Sequence, residues 1–111
     1  MNVFKLLTGR FSSRGKALAF YKRGMASSKE HDHQSAIDDY TTAIGLQDVP
    51  LDVKAMALYN RALVYAAMGD DAKATADLDA VLDMETALPK IKAEAKRKLV
   101  RMQRGSKKTD K

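Results

Sequence analysis

The sequence predicts an all-α fold built from a repeated pair of helices, and three observations carry that prediction. Residues 16–24 (KALAFYKRG), 54–62 (KAMALYNRA) and 92–96 (KAEAK) align without gaps at a spacing of 38, and residues 36–40 and 74–78 fall in the same register. Within each unit the apolar residues recur at three- and four-residue steps, as in Leu58, Ala62, Tyr65 and then Ala74, Leu78, Val81, Leu82, which lays one buried stripe on each helix. The composition agrees: 111 residues hold only two prolines and are rich in alanine, leucine, lysine and aspartate, all but the last good helix formers. A chain of this length makes one small domain with one modest core.

Residues 1–15 form a basic N-terminal segment ahead of the repeat domain, which spans 16–104. In the first unit, 16–49, the stripe slots hold Phe20, Gly24, Ala36, Ile37, Tyr40, Ala43 and Ile44. Gly24 and its counterpart Ala62 are small where two helices must approach closely. The inter-helix turn falls at His31-Asp32-His33, and histidine tolerates the left-handed backbone that such a turn requires. Asp48 to Pro50 breaks the chain between units. In the second unit, 52–86, Asp52 is expected to cap a helix running to about Met68, Gly69 to supply the left-handed stop, and Asp70 to cap a helix ending near Met84. Thr86 to Pro89 breaks the chain again. A final capping helix, 89–104, is expected to stop at Gly105, with 105–111 a flexible basic tail.

Charge is strongly segregated. Residues 1–29 carry seven Lys or Arg and no acid; residues 30–89 carry three bases against twelve acids; residues 90–111 carry ten bases against two acids. Basic ends around an acidic middle suit self-attraction, an anionic partner or nucleic acid. The Asp38-Asp39 and Asp70-Asp71 pairs and Asp77 with Asp79 read as solvated faces and helix starts. The acid-free stretch 1–29 also has a transit-peptide composition, but from Lys16 onward it belongs to the repeat.

Several function classes drop out. With no cysteine there is no disulfide framework and no thiol chemistry. No apolar run reaches the roughly 18 residues of a membrane span. His31-Asp32-His33 offers two histidines and one acid without a further distant ligand, which is a turn rather than a metal site. There is no glycine-rich phosphate loop and no nucleophile–base spacing. The expectation is a cytoplasmic non-enzyme without cofactor.

Leu58-Tyr59-Asn60 with Ala62, Tyr65, Gly69-Asp70, Ala74 and Leu78 resembles the tetratricopeptide repeat, and Phe20-Tyr21, Gly24, Asp32, Ala36, Tyr40 and Ala43 resemble a second copy. Ser27 stands where the family's usual aromatic would be, and His31 where its turn glycine would be. The resemblance implies two antiparallel helix pairs plus a capping helix in a right-handed superhelical stack, and a protein-interaction adaptor or scaffold. It also implies a peptide groove on the inner face of each unit's first helix. By helical phase the groove residues are Tyr21, Lys22 and Met25 in the first unit, Met56, Tyr59, Asn60 and Leu63 in the second, and Arg97, Lys98 and Arg101 on the last helix. The stripe is apolar and aromatic at one end and basic at the other, which suits a protein or peptide segment with apolar anchors and acidic residues.

Some relatives clamp a C-terminal carboxylate of heat-shock chaperones; the matching positions here are Tyr21, Met25, Asn60, Glu94 and Lys98, of which only Asn60 is identical, and a glutamate opposes an anionic terminus. Three alternatives to the groove are its filling by the N-terminal segment through Phe4, Leu6, Leu7 and Phe11, a self-associating structural module, since two and a half units make a short stack, and nucleic-acid binding through the basic last helix, which lacks the interleaved aromatics of single-strand binders.

Overall fold

The computed structural model describes residues 12–109, with side chains described through Gly105. Five helices follow one another, α1 (Ser13–Lys29), α2 (His33–Gly45), α3 (Leu51–Ala67), α4 (Asp71–Asp83) and α5 (Pro89–Thr109), with no strand among the described residues.

Local chemistry sets most of the boundaries. The Ser12 hydroxyl accepts from the Gly15 N–H at 3.3 Å and opens α1 just ahead of the repeat itself. Asp32 and Asp70 are equivalent positions in the two units and cap α2 and α4 in the same way, each carboxylate accepting a backbone N–H three positions on at 3.2 Å. The turns before them use the left-handed region at equivalent positions, with φ of 60° at His31 and 83° at Gly69. Asp48, also at φ 60°, turns the chain between units. Pro89 opens α5, where its missing N–H costs no hydrogen bond.

Three expectations need correction. Asp52 does not cap α3: Pro50 occupies that position with no side-chain bond, and Asp52 lies inside the first turn. The fixed proline φ starts the helix earlier, while a carboxylate within the first turn still favours the helix dipole. Gly105 does not stop α5, which continues to Thr109, because glycine in a helical run of Gln, Arg and Lys costs only about 1 kcal/mol and does not force a break. Asp39 and Asp77 are not solvated but buried. Each receives a bidentate arginine: Arg23 donates to Asp39 at 2.9 and 2.7 Å, and Arg61 to Asp77 at 2.8 and 2.7 Å. These pairs are the repeat's own cross-links, joining first helix to second in each unit.

The core follows the predicted stripes. In the first hairpin Ala36, Ile37, Tyr40 and Ala43 of α2 pack with Ala57 and Val64 of α3, while Phe20, Tyr21 and Met25 of α1 close over them. In the second, Leu58 and Ala62 of α3 meet Ala74, Leu78 and Val81 of α4, and Ala95, Ile91, Leu99 and Met102 of α5 cover the far side. Helix α3 therefore serves both clusters, and burying side chains such as Leu78 and Val81 stabilises the stack by about 1.5–3 kcal/mol each. Gly24 makes the closest approach: a Cβ there would stand 2.7 Å from Tyr40 Cε1 and 2.8 Å from Cδ1.

Candidate partner-binding groove

The groove residues lie on the first helix of each unit, where the repeat register sets like positions side by side. Tyr21 of α1 and Asn60 of α3 are joined directly, the Asn60 amide donating to the Tyr21 hydroxyl at 3.1 Å and to the Met56 carbonyl at 2.8 Å. That bond ties α1 of the first unit to α3 of the second and fixes the Asn60 amide. The Tyr21 ring stands 5.9 Å from Tyr40, tilted by 42°, so this candidate residue rests on the core. Burial raises the Tyr21 pKa above its ordinary value, and the Asn60 bond partly offsets it. Met25 packs on the first cluster from the same face.

Further along, Tyr59 packs against the second cluster, with Leu63 half-buried one turn on. Burial and the Glu94 carboxylate raise the Tyr59 pKa, while Arg101 and Arg97 draw it down. The phenol thus marks the point where the apolar part of the stripe meets the basic part. Arg97 forms an ion pair with Glu94 one turn before it on α5, leaving the guanidinium still largely exposed. Lys22 and Arg101 are exposed and Lys98 half-buried, and none of the three has an ion pair among the described residues. The structure therefore brings Tyr21, Met56 and Asn60 together, and Tyr59 with Arg97 and Arg101. It joins Lys22, Leu63 and Lys98 to the others only by shared face.

The arrangement sets apolar area and the fixed Asn60 amide beside the exposed cations Lys22 and Arg101. No group of three or more His, Asp or Glu able to hold a metal ion occurs among the described residues. No helix among them is long and apolar enough to cross a membrane.

The cross-links Arg23–Asp39 and Arg61–Asp77 are not foreseen from the sequence. Their signal is present, since both members of the pair recur in the repeat register, but the pairing of each arginine with an aspartate on the next helix shows only once the hairpin is folded. The first pair borders a hollow lined by Arg23, Ser27, Ser35, Asp38 and Asp39. At the counterpart of Ser27 in the second unit stands Tyr65, whose ring lies 5.7 Å from the Arg61 guanidinium and 5.6 Å from the Lys73 ammonium. The side chain of Arg61 is accordingly 17% exposed and that of Arg23 68%.

No family model matches the chain, and no solved structure matches it. Several curated proteins do, among them proteins named photosystem I assembly protein Ycf3. The relative from Cyanophora paradoxa is 32% identical over 74 residues, covering 67% of this chain and 42% of its own length. That from Synechococcus elongatus is 30% identical over 87 residues, 78% of this chain and 49% of the relative, and that from Acaryochloris marina is 38% identical over 58 residues, 52% and 34% respectively. The chain spans about half the length, or less, of the curated relatives it matches. With two like-capped hairpins in one register and a fifth helix stacked on the second of them, the chain folds as a tetratricopeptide-type stack of helix pairs.

Proposed function

We propose that the protein is an adaptor that holds a segment of a partner protein along the stripe running from Tyr21 and Met25 through Met56, Tyr59, Asn60 and Leu63 to Arg97, Lys98 and Arg101. The observation that carries this reading is the junction at Tyr59, where half-buried apolar side chains on α1 and α3 give way to exposed guanidinium groups on α5. A ligand matching that stripe has apolar anchors followed by acidic residues. The relatives are named as assembly proteins of a photosystem. By extension this chain escorts or joins subunits of such a complex, photosystem I in the first instance, by binding and without catalysis or cofactor. The reading keeps the cytoplasm as its compartment, which fractionation of source cells tests.

The test is capture of partners from source-cell extract, with and without nuclease, by the wild type and by a Tyr21→Glu, Tyr59→Glu, Leu63→Glu variant of matched helicity. A nuclease-resistant protein held by the wild type and lost by the variant supports the groove. A catch that survives the variant and vanishes with nuclease moves the function to nucleic acid on α5. A solution mass by light scattering that is a stable multiple of the single chain's, and that the same variant reduces to one chain, moves it to self-association.

A further inference from the structure

The register that aligns the units also shows which face of α5 stays open among the described residues. Gly24, Ala62 and Val100 are equivalent positions in that register. Gly24 lies against Tyr40 of α2, and Ala62, fully buried, shares a cluster with Leu78 of α4, so in both units this position receives the unit's own second helix. Val100 is 36% exposed. The same contrast holds beside it: Ala55 and Leu58 are buried, while their counterparts Ala93 and Lys96 are exposed. The opposite face of α5 is already used, with Ile91, Ala95, Leu99 and Met102 packed toward α4. What is left open is a hollow lined by Ala93, Lys96, Arg97, Val100, Arg101 and Arg104.

We propose that this face of α5 is a seat for an acidic amphipathic helix of a partner protein, lying on α5 as α4 lies on α3. The shape argument comes from the fold itself, since a small residue and an aliphatic residue two turns apart (Ala93 and Val100) form the floor on which a helix with its own small stripe can settle. The charge argument selects the occupant. Four cations frame that floor, and only Arg97 has a carboxylate partner among the described residues, Glu94. A helix carrying glutamates or aspartates beside its apolar stripe neutralises them, whereas residues 1–11 carry Lys5 and Arg10 and no acid and would add to the repulsion. Phosphates would use the cations and leave Val100 uncovered. The seat shares Arg97 and Arg101 with the proposed groove, but Val100 and Lys96 belong to it alone.

The experiment measures binding of the full chain to two fluorescent helical peptides by anisotropy. Both carry the Ala74, Leu78, Val81 stripe of α4 at its native spacing; one has glutamates flanking the stripe and the other lysines. The glutamate peptide is expected to bind, weaken several-fold as salt rises, and lose at least tenfold in affinity with Val100→Asp or Lys96→Glu. Tyr21→Glu with Leu63→Glu is expected to leave it unchanged, so this seat and the groove fail separately. Equal affinity for the two peptides, or indifference to Val100→Asp in a protein of unchanged melting temperature, overturns the proposal. So does a tenfold gain on deleting residues 1–11, which makes the chain's own N-terminal segment the occupant. A wild-type dimer dissolved by Val100→Asp overturns it in favour of a second copy.

Discussion

At Gly24 one hydrogen decides how closely α1 and α2 can pack. A methyl group there would run into the Tyr40 ring, its Cβ 2.7 Å from the nearest ring carbon, and Tyr40, fully buried, has nowhere to go. Gly24→Ala is expected to destabilise the protein by about 1–3 kcal/mol in urea unfolding even though alanine is the better helix former. The ring carries a second consequence. Burial, with a smaller contribution from Tyr21, pushes the Tyr40 phenol up to about 12. A folded pKa above the unfolded value, about 10, favours the fold fully below pH 10 and loses that contribution as pH rises toward 12. Tyr40→Phe is expected to flatten that alkaline limb in a pH series of thermal melts. At the acid end the sign reverses: Arg14 holds Asp52 below the ordinary carboxylate range, and bonding to Ser35 does the same for Asp32. Both contributions are present at neutral pH and are lost as pH falls through those lowered values.

Gly24 was readable from the sequence because only a small residue fits a helix crossing at that point of the repeat. Asp39 was not. An aspartate pair on a helix looks solvated until the arginine of the preceding helix is folded onto it, and Asp38 beside it is indeed exposed.

Within the elements, the two hairpins differ in how well they finish the same design. Tyr65 covers the Arg61–Asp77 pair, and Thr41 from the first unit accepts from Arg61 at 3.0 Å. Ser27 leaves the equivalent Arg23–Asp39 pair beside an open hollow. Asp77→Ala, which strands a half-buried guanidinium, is expected to cost about 2–3 kcal/mol in chemical unfolding, and Asp39→Ala distinctly less. Filling the hollow with Ser27→Tyr is expected to raise stability by about 1 kcal/mol, or a few degrees in Tm. A fall in Tm would show that the hollow is shaped for something other than the repeat's own aromatic. Helix starts at Asp70 and Pro89 were legible because capping and proline chemistry are local. The start of α3 and the end of α5 were not, since several residues near each could begin or extend a helix at similar cost.

Across the whole molecule, segregated charge does two kinds of work. Some of it is satisfied internally: Arg14 of the basic N-terminal part pairs bidentately with Asp52 of the acidic middle at 3.0 and 2.9 Å, linking the first helices of the two units. Such an exposed pair adds little stability and is screened by salt. The rest stays outward: Lys96, Arg101 and Arg104 of α5 are exposed and have no ion pair among the described residues, and under the proposed function these cations select the partner. Helical phase was enough to place the candidate residues on a shared face, because phase decides which side chains lie together. It could not show that Asn60 reaches Tyr21 or that Tyr59 sits among Glu94, Arg97 and Arg101, because both depend on how adjacent helices cross.

A partner lying along the α1–α3–α5 face, as proposed, is within reach of a site-specific photocrosslinker. A benzophenone side chain placed at Leu63, in the stripe, is expected to give a discrete protein adduct in source-cell extract that persists after nuclease treatment. The same probe at exposed Asp79 on α4 is expected to give none. Adducts at Asp79 and not at Leu63 would contradict the groove and place the partner on the second helices instead.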